Sequence, residues 1–309
     1  MKYFKPAYAD REISRVALGC MRIGNMTDKE VDSHIMNAYE CGINFFDNAD
    51  LYGNGHCEEV FGGVLKRNPS LREKIVIQTK CGIRKDAAHD MYDFSKEHIL
   101  SAVDASLKRL GIDRIDVLLL HRPDVLMDPD EVAEALDELE GAGKVSHFGV
   151  SNHDPMQIEL LKKSVKQRIC VNQLQLSIAH AYMLSSGTSV NMTCPDGTVR
   201  DGYVRDYCRL NDITIQPWSP MQVGFFTGSF TANEKYEKLN KTIAEIGEKY
   251  NLTDTGVAIA WLLRLPDKMQ PIIGTTNPAR VKAACDAADV TISAEDWYKI
   301  YVDAGYNLP

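Results

Sequence analysis

Short runs of apolar residues recur along the chain and alternate with longer amphipathic stretches. The runs are nearly continuous in Val, Ile, Leu and Phe, as expected for strands buried on both faces of a parallel sheet. Eight candidate strands follow from this pattern: 15–20, 43–49, 74–80, 115–121, 145–151, 170–176, 213–219 and 270–276. The stretches between them have apolar positions at helical spacing. The candidate helices lie near 28–41, 56–66, 95–111, 129–142, 155–165, 203–210, 253–265 and 278–288.

Capping signals support the helical assignments. In the helix predicted at 95–111, Ser95 is placed to act as the N-cap and Gly111 to end the helix. Strand and helix alternate eight times without a linker-like change in composition, which predicts an α/β fold, a (β/α)8 TIM barrel. We expect a single domain over residues 1–309.

Three segments exceed the minimal barrel pattern. Two are additional helices near 234–250 and 293–303, and the third is the Gly-, Ser- and Pro-containing stretch at 185–202, a long loop after the sixth strand. Loops at this end of a barrel build active sites, so 185–202 is a candidate substrate lid. A surface loop without a function is an equally open alternative.

Ionisable side chains stand at the carboxyl ends of three neighbouring strands. Asp47 ends the second strand and Tyr52 follows in its loop, Lys80 ends the third strand, and His121 ends the fourth. Strand ends converge at one mouth of a barrel, so we expect these side chains to meet. Each alone has a structural explanation, as a helix cap, a packed ring or a hydrogen-bonding group. A buried Lys80, however, needs an anion, and Asp47 is the candidate.

A lysine next to a tyrosine suggests proton transfer. Free tyrosine has a pKa of about 10. A cation about 4 Å away, at an effective dielectric constant of about 20, favours the phenolate by about 4 kcal/mol before burial and other charges reduce the effect. We therefore expect Lys80 to make Tyr52 acidic enough to serve as a general acid. His121 could hold a carbonyl oxygen beside the phenol.

Two motifs carry a family resemblance over most of the chain. The motif FDNADLYG at 46–53 resembles the FDTAxxYG signature of the aldo-keto reductase family, with Asn48 in place of the usual Thr. The stretch SLKRLGIDRIDVLLLHRPD, at 106–124, resembles the second signature of that family. The resemblance implies an enzyme that reduces aldehydes or ketones with a nicotinamide cofactor, which delivers hydride to the carbonyl carbon.

The resemblance also implies a role for each residue at the strand ends. Tyr52 would be the proton donor, Lys80 and Asp47 would adjust its acidity, and His121 would orient the substrate. No G-x-G-x-x-G motif follows a candidate strand, so no Rossmann site is predicted. The dinucleotide would instead lie across the strand ends, with its phosphates near the last two loops. The candidate cofactor-binding residues are Met21, Arg22, Asp47, Ser151, Asn152, Asn172, Gln173, Trp218, Ser219, Pro220, Met221, Gly224, Gly274, Thr275, Thr276, Asn277 and Arg280.

The segment IIGTTNPARVKAA at 272–284 resembles the part of the family that binds the adenosine end. A 2'-phosphate could be bound there by Thr275, Thr276, Asn277 and Arg280, through hydroxyls and a bidentate guanidinium, so NADPH is the expected cofactor, and NADH remains open. The segment departs from the family pattern because Gly274 stands where a Lys is usual. Ordinary turn chemistry is the alternative explanation for the hydroxyls.

Composition narrows the class of protein. The formal charge of -8 and the absence of a basic stripe argue against nucleic acid as a partner. No apolar run approaches the roughly 18 residues of a membrane span, and the start of the chain lacks the apolar centre of a signal peptide, so we expect a soluble, cytoplasmic protein. The eight cysteines form no C-x-x-C pair and are expected to be reduced. No metal-binding spacing occurs, so no metal site is expected.

Two other functions remain open. Lys80 could form a Schiff base in a barrel lyase, or the protein could be a cofactor-sensing subunit with little turnover. The expected partner is a small carbonyl or alcohol substrate whose identity the sequence does not give, and the oligomeric state is equally open. Arg22 and Arg122 could favour an anionic substrate or pair with acids at the rim of the barrel, and we expect the pairing. The other candidate pocket walls are Met21, Leu51, Phe225, Phe226 and the 185–202 loop.

Overall fold

Parallel strands form the wall of a barrel in the computed structural model, which describes residues 1–6, 8–9, 11–85 and 89–309. In chain order the strands are β1 (Tyr3–Phe4), β2 (Ile13–Ser14), β3 (Ala17–Gly19), β4 (Phe45–Asp47), β5 (Val76–Cys81), β6 (Ile83–Lys85), β7 (Asp90–Tyr92), β8 (Ile115–Leu120), β9 (Val145–Ser151), β10 (Ile169–Gln175), β11 (Thr214–Trp218) and β12 (Ile272–Ile273). Eight of them pair in parallel in the order β11-β10-β9-β8-β5-β4-β3-β12.

Backbone hydrogen bonds between the two outer strands close the barrel. The amide of Ile215 in β11 donates to the carbonyl of Lys268 at 3.0 Å, and the amide of Gln270 donates back to the carbonyl of Ile215 at 3.0 Å. The predicted (β/α)8 barrel is therefore confirmed. Its strand ends meet at one mouth, as the sequence argument required.

Helices surround the barrel. They are α1 (Asp28–Glu40), α2 (His56–Arg67), α3 (Lys96–Leu110), α4 (Pro129–Gly141), α5 (Pro155–Leu161), α6 (Tyr182–Thr188), α7 (Val204–Leu210), α8 (Glu237–Tyr250), α9 (Asp254–Leu263), α10 (Pro278–Ala287) and α11 (Ala294–Asp303). Ser95 caps α3 through its side chain, and Gly111 ends it in the left-handed conformation at φ 64°, as predicted. The two expected additional helices are α8 and α11.

The barrel interior is apolar at its lower end. Ile13, from the antiparallel β1–β2 hairpin, packs with inward-facing strand residues such as Phe45, Val117 and Val171. Between the strands and the outer helices lies a second apolar layer, in which Trp261 and Phe61 are fully buried. The hairpin thus covers one end of the barrel and leaves the opposite mouth for chemistry.

Some short elements differ from the prediction. The β1–β2 and β6–β7 hairpins were not expected, because strands of two or three residues are too short to give a periodic pattern. The helix α6 was not expected either. The last barrel strand, expected over 270–276, is only Ile272–Ile273. Gln270 and its neighbours still pair through the isolated bonds that close the barrel.

Two further observations concern the whole molecule. All eight cysteines lie within the described residues and are free thiols. Within the described ranges, no helix combines the length and the apolar character needed to cross a bilayer.

Close packing of α2 against α3 leads to a stability prediction. A Cβ added at Gly62 would lie 2.3 Å from the carbonyl oxygen of Arg109, which is fixed backbone. We expect Gly62→Ala to lower the free energy of unfolding by about 1–3 kcal/mol, as overpacking does. Thermal or denaturant unfolding would measure the change.

Gly63→Ala, at the next position of α2, is the matched control. Its Cβ would approach only the Arg67 side chain, at 3.1 Å, and that side chain can move. Replacing a helical glycine by alanine then favours the helix by about 0.5–1 kcal/mol. Equal stability of the two variants would contradict the packing argument.

Candidate active site

A tight turn presents Tyr52 at the barrel mouth. After β4 the chain forms a 3-10 turn at Tyr52–Gly55, in which Gly53 and Asn54 adopt left-handed backbone angles with φ of 59° and 53°. Gly55 is also left-handed, at φ 88°, and a Cβ there would meet the Arg109 side chain at 2.8 Å. The turn therefore passes too close to Arg109 for a bulkier residue, and this contact fixes the turn that carries the phenol.

The four side chains predicted to meet do lie together. Lys80 Nζ donates to Asp47 Oδ2 at 2.8 Å, to the backbone carbonyl of Asn48 at 2.8 Å, and to the Tyr52 hydroxyl at 3.0 Å. The rings of Tyr52 and His121 are nearly perpendicular, with centroids 6.1 Å apart. Lys80 is fully buried, so all three of its donors are used within the protein.

Burial controls the protonation states. It raises the pKa of Tyr52 above its ordinary value of 10.0, and the opposing effect of Lys80 does not cancel that rise. Burial alone would lower the pKa of Lys80, but Asp47 and Tyr52 more than offset this, so the pKa is raised. Burial, assisted by Lys80 and Arg122, lowers the pKa of His121 well below its usual range. At neutral pH the site therefore holds a neutral phenol, a lysine cation and a neutral imidazole.

The direction for Tyr52 is opposite to the one expected from the sequence. The sequence suggested that the attraction between Lys80 and the phenolate would outweigh the hydration that the phenolate loses on burial. Because desolvation disfavours the charged form of any acid, a buried tyrosine resists ionisation even beside a cation. Lys80 limits this effect and does not reverse it.

A chain of glutamine side chains runs from Asp47 into the barrel. Asp47 Oδ1 accepts hydrogen bonds from Gln78 at 2.6 Å and from Gln173 at 3.1 Å. Both amides also donate to Gln216 Oε1, and Gln216 Nε2 in turn donates to Gln270 Oε1 at 2.9 Å. These contacts satisfy the buried carboxylate and hold it in place. Sequence reasoning missed this chain, although a Gln within an otherwise apolar strand was an available signal.

A cavity of about 1990 Å³ lies over the barrel mouth. Most of the residues expected to bind substrate or cofactor line it: Met21, Arg22, Asp47, Leu51, Tyr52, His121, Arg122, Ser151, Asn152, Gln173, Trp218, Ser219, Pro220, Met221, Phe225, Phe226, Gly274, Thr275 and Arg280. Lys80 does not line the cavity itself and lies behind Tyr52, which does.

Four expected cofactor contacts do not line the cavity. Asn172 is fully buried, and its amide nitrogen donates to the carbonyl of His153 at 2.8 Å. Asn277 caps helix α10, where its Oδ1 accepts from the Ala279 amide at 2.9 Å. Gly224 and Thr276 also lie outside the cavity wall.

Other parts of the wall were not foreseen. They come from the β6–β7 hairpin, from the segment around α6 and from the start of α9: Ile83, Lys85, Asp90, Tyr92, Tyr182, Met183, Thr253, Asp254 and Thr255. The long loop expected to be a lid contributes Arg200 and Asp201. It therefore reaches the cavity, and its role stays a prediction.

The groups around Trp218 suit a nicotinamide. The indole nitrogen of Trp218 donates to Asn152 Oδ1 at 3.1 Å, and Asn152 donates to the Ser151 hydroxyl at 2.7 Å. Gln173 already uses its amide nitrogen on Asp47 and Gln216, so its oxygen is left to accept a hydrogen bond. An aromatic face and convergent amides next to Tyr52 therefore fit a flat ring bearing a carboxamide.

Within the part of the chain that the structure describes, no three His, Cys, Asp or Glu side chains converge as metal ligands would.

Comparison with known proteins gives the family. Residues 15–301 match the model described as "Aldo/keto reductase family". The chain belongs to this family. It is 36% identical to the 6-dehydroglucose reductase of Agrobacterium fabrum, over 94% of each chain, and 34% identical to the oxidoreductase YdhF of Escherichia coli, over 96% of each. The protein is therefore an NAD(P)H-dependent carbonyl oxidoreductase of this family.

A solved structure supports the fold. The glycerol dehydrogenase from Gluconobacter oxydans superposes with a TM-score of 0.80 and 22% identity, and the match covers 99% of this chain and 96% of the other. At that identity the likeness concerns the barrel alone.

The buried ion pair leads to a double-mutant prediction. Lys80→Met leaves the Asp47 carboxylate buried without its cation, so we expect the free energy of unfolding to fall by about 3–5 kcal/mol. Adding Asp47→Asn removes the uncompensated charge, and the double variant should lose clearly less than the sum of the two single losses. Denaturant unfolding of the four proteins measures this coupling. Additive losses would show that the two side chains do not stabilise each other.

Proposed function

We propose that the protein reduces an aldehyde or ketone to an alcohol with NADPH as reductant and Tyr52 as proton donor, within one domain spanning residues 1–309. The observation that supports this most strongly is the distance of 3.0 Å between the Tyr52 hydroxyl and Lys80 Nζ. Asp47 holds that same nitrogen at 2.8 Å. A phenol hydrogen-bonded to a fixed cation at a cavity wall is equipped to give up a proton.

Each side chain contributes one physical step. Trp218, Asn152 and Gln173 would hold a reduced nicotinamide, which would supply hydride for the carbonyl carbon. Tyr52 donates its proton to the carbonyl oxygen, so hydride and proton together convert C=O to an alcohol. Lys80 stabilises the phenolate that remains, and Asp47 keeps Lys80 charged. The neutral imidazole of His121 can donate to the same oxygen and fix its position.

The cofactor assignment rests on the two ends of the cavity. Gln173 and Asn152, beside Trp218, would hold the carboxamide end. At the other end, Thr275 and Arg280 lie at the start of α10, where helix dipole and cation both favour a phosphate, and the Arg280 guanidinium has no partner among the described residues. A 2'-phosphate bound there would favour NADPH over NADH.

A Schiff-base lyase is less well supported. Lys80 is fully buried, it donates to three oxygens, and its pKa is raised, so the amine has no free lone pair with which to attack a carbonyl. A cofactor-sensing role would use the same cavity, and steady turnover separates that role from an enzyme.

Tyr52→Phe tests the proton donor. The substitution removes only the hydroxyl, so carbonyl reduction should fall by at least about 100-fold, within the range of general acid catalysis. NADPH binding, followed by cofactor fluorescence, should persist. Tyr298→Phe, at an exposed tyrosine on α11, controls for the chemical change and should keep the wild-type rate. Retained activity in Tyr52→Phe would refute the role.

Arg280→Met tests the cofactor preference. Removal of a charge-assisted hydrogen bond to the 2'-phosphate should raise the KM for NADPH by about 10–100-fold and leave the KM for NADH nearly constant. Lys282→Met is the matched control, because Lys282 is an exposed cation on the same helix that pairs with Asp286. An equal rise for both cofactors would mean that Arg280 does not recognise the 2'-phosphate.

A further inference from the structure

Arg122 occupies an unusual position in the cavity. It follows strand β8 directly after His121, and its side chain lines the cavity wall. The guanidinium carbon lies 5.7 Å from the Trp218 ring centre and 5.8 Å from that of Phe225. Aromatic rings thus flank the cation and hold it near the proton donor.

The guanidinium has no anionic partner in the described part of the chain. It forms no ion pair and donates no hydrogen bond there, and the contacts that it makes are with the Trp218 and Phe225 rings. Burial lowers the pKa of Arg122. A partly desolvated cation without a counter-ion costs free energy, and an anion arriving in the cavity would recover it.

The rim pairing expected from the sequence is therefore absent among the described residues. Arg22, the other guanidinium considered there, donates to the backbone carbonyl of Gly274 at 3.3 Å. Arg22 thus has a partner in the protein, whereas Arg122 has none among the residues that the structure describes. The difference singles out Arg122 as the cation available to a ligand.

Arg122 is not positioned to bind the phosphates of the cofactor. In the closed strand order, β8 lies opposite β12, the strand that leads to Thr275 and Arg280. Arg122 instead neighbours His121 and acts electrostatically on it, as it does on Tyr52. An anion that pairs with Arg122 would therefore belong to the substrate, whose carbonyl would lie next to Tyr52.

We propose that Arg122 binds a carboxylate of the substrate, and that the enzyme prefers aldehydes or ketones bearing such a group away from the reacting carbonyl. This inference rests on the proposed reductase function. The planar guanidinium offers paired N–H donors along its edge while the aromatic rings flank it, and this geometry matches the two oxygens of a carboxylate. A hydroxyl could accept a hydrogen bond but would leave the charge uncompensated.

The test compares matched substrates. The ω-oxo carboxylates of four, five and six carbon atoms and the unbranched alkanals of the same lengths are reduced with NADPH by the wild-type enzyme and by Arg122→Met. For each length, the ratio of kcat/KM for the acid to kcat/KM for the neutral aldehyde isolates the charge from chain length. Wild type should favour the acids at one length or more, and Arg122→Met should lower that ratio by about 10–100-fold, mainly through KM.

Two further variants sharpen the result. Arg84→Met should leave the ratio at the wild-type value, because the Arg84 guanidinium lies outside the cavity wall and donates to Asp93 Oδ2 at 2.7 Å. Arg122→Lys keeps the charge but loses the paired donors, so its ratio should lie between wild type and Arg122→Met.

The outcomes separate the two proposals. Reduction of the alkanals with no preference for the acids, or with the same ratio in Arg122→Met, overturns the inference and leaves the reductase function standing. Absence of NADPH-dependent reduction with every aldehyde overturns the reductase function, and the inference with it.

Discussion

The site depends on an ion pair sealed inside the barrel. Lys80 and Asp47 are both buried, and two such charges are stable only when their attraction and hydrogen bonds replace the lost water. Lys80 achieves this with three oxygens. Asp47 achieves it with Lys80 and two glutamine amides, and the glutamine chain fixes those amides in turn. The polar interior of the barrel is thus built to keep one ammonium in one place.

That fixed ammonium determines what Tyr52 can do. The phenol is neutral because burial outweighs the cation, so it arrives at the reaction with its proton. As the proton leaves, a negative charge develops 3.0 Å from Lys80 Nζ, where it meets a cation that needs no reorganisation. Burial, assisted by the charges of Lys80 and Arg122, lowers the pKa of His121 and keeps it neutral, and therefore suited to orienting an oxygen. Burial thus sets the neutral states of the phenol and the imidazole, and the buried pair supplies the fixed cation that stabilises the phenolate.

Much of this could be predicted from the sequence because it follows from simple repetition. Buried strands gave continuous apolar runs, and an acid, a lysine and a histidine at the ends of successive strands had to converge once the barrel closed. Tyr52 could be placed at the mouth because it lies in the loop that follows the strand of Asp47. These inferences use order along the chain, which the fold preserves.

The other features of the site could not be predicted, because they depend on burial and on side-chain contacts that the order of residues along the chain does not give. The direction in which the pKa of Tyr52 shifts depends on the balance between desolvation and nearby charge. The degree of burial that decides this balance is known only from the folded structure. Asn277 looked like a phosphate ligand, yet its side chain caps α10, a choice decided by local geometry. The β6–β7 hairpin supplies Tyr92 to the cavity through strands too short to be recognised. Whether Arg122 had a partner likewise required the contacts themselves.

Direct titration of Tyr52 tests the central claim most sharply. With tyrosine labelled by 13C at the ring carbon bearing the hydroxyl, NMR spectra of the wild type and Tyr52→Phe identify the Tyr52 resonance by difference, and its shift against pH reports ionisation. The account predicts that this resonance stays neutral throughout the physiological range and begins to titrate only above the ordinary tyrosine value of about 10. A midpoint below that value would contradict it, because the ammonium, and not burial, would then set the state of the phenol.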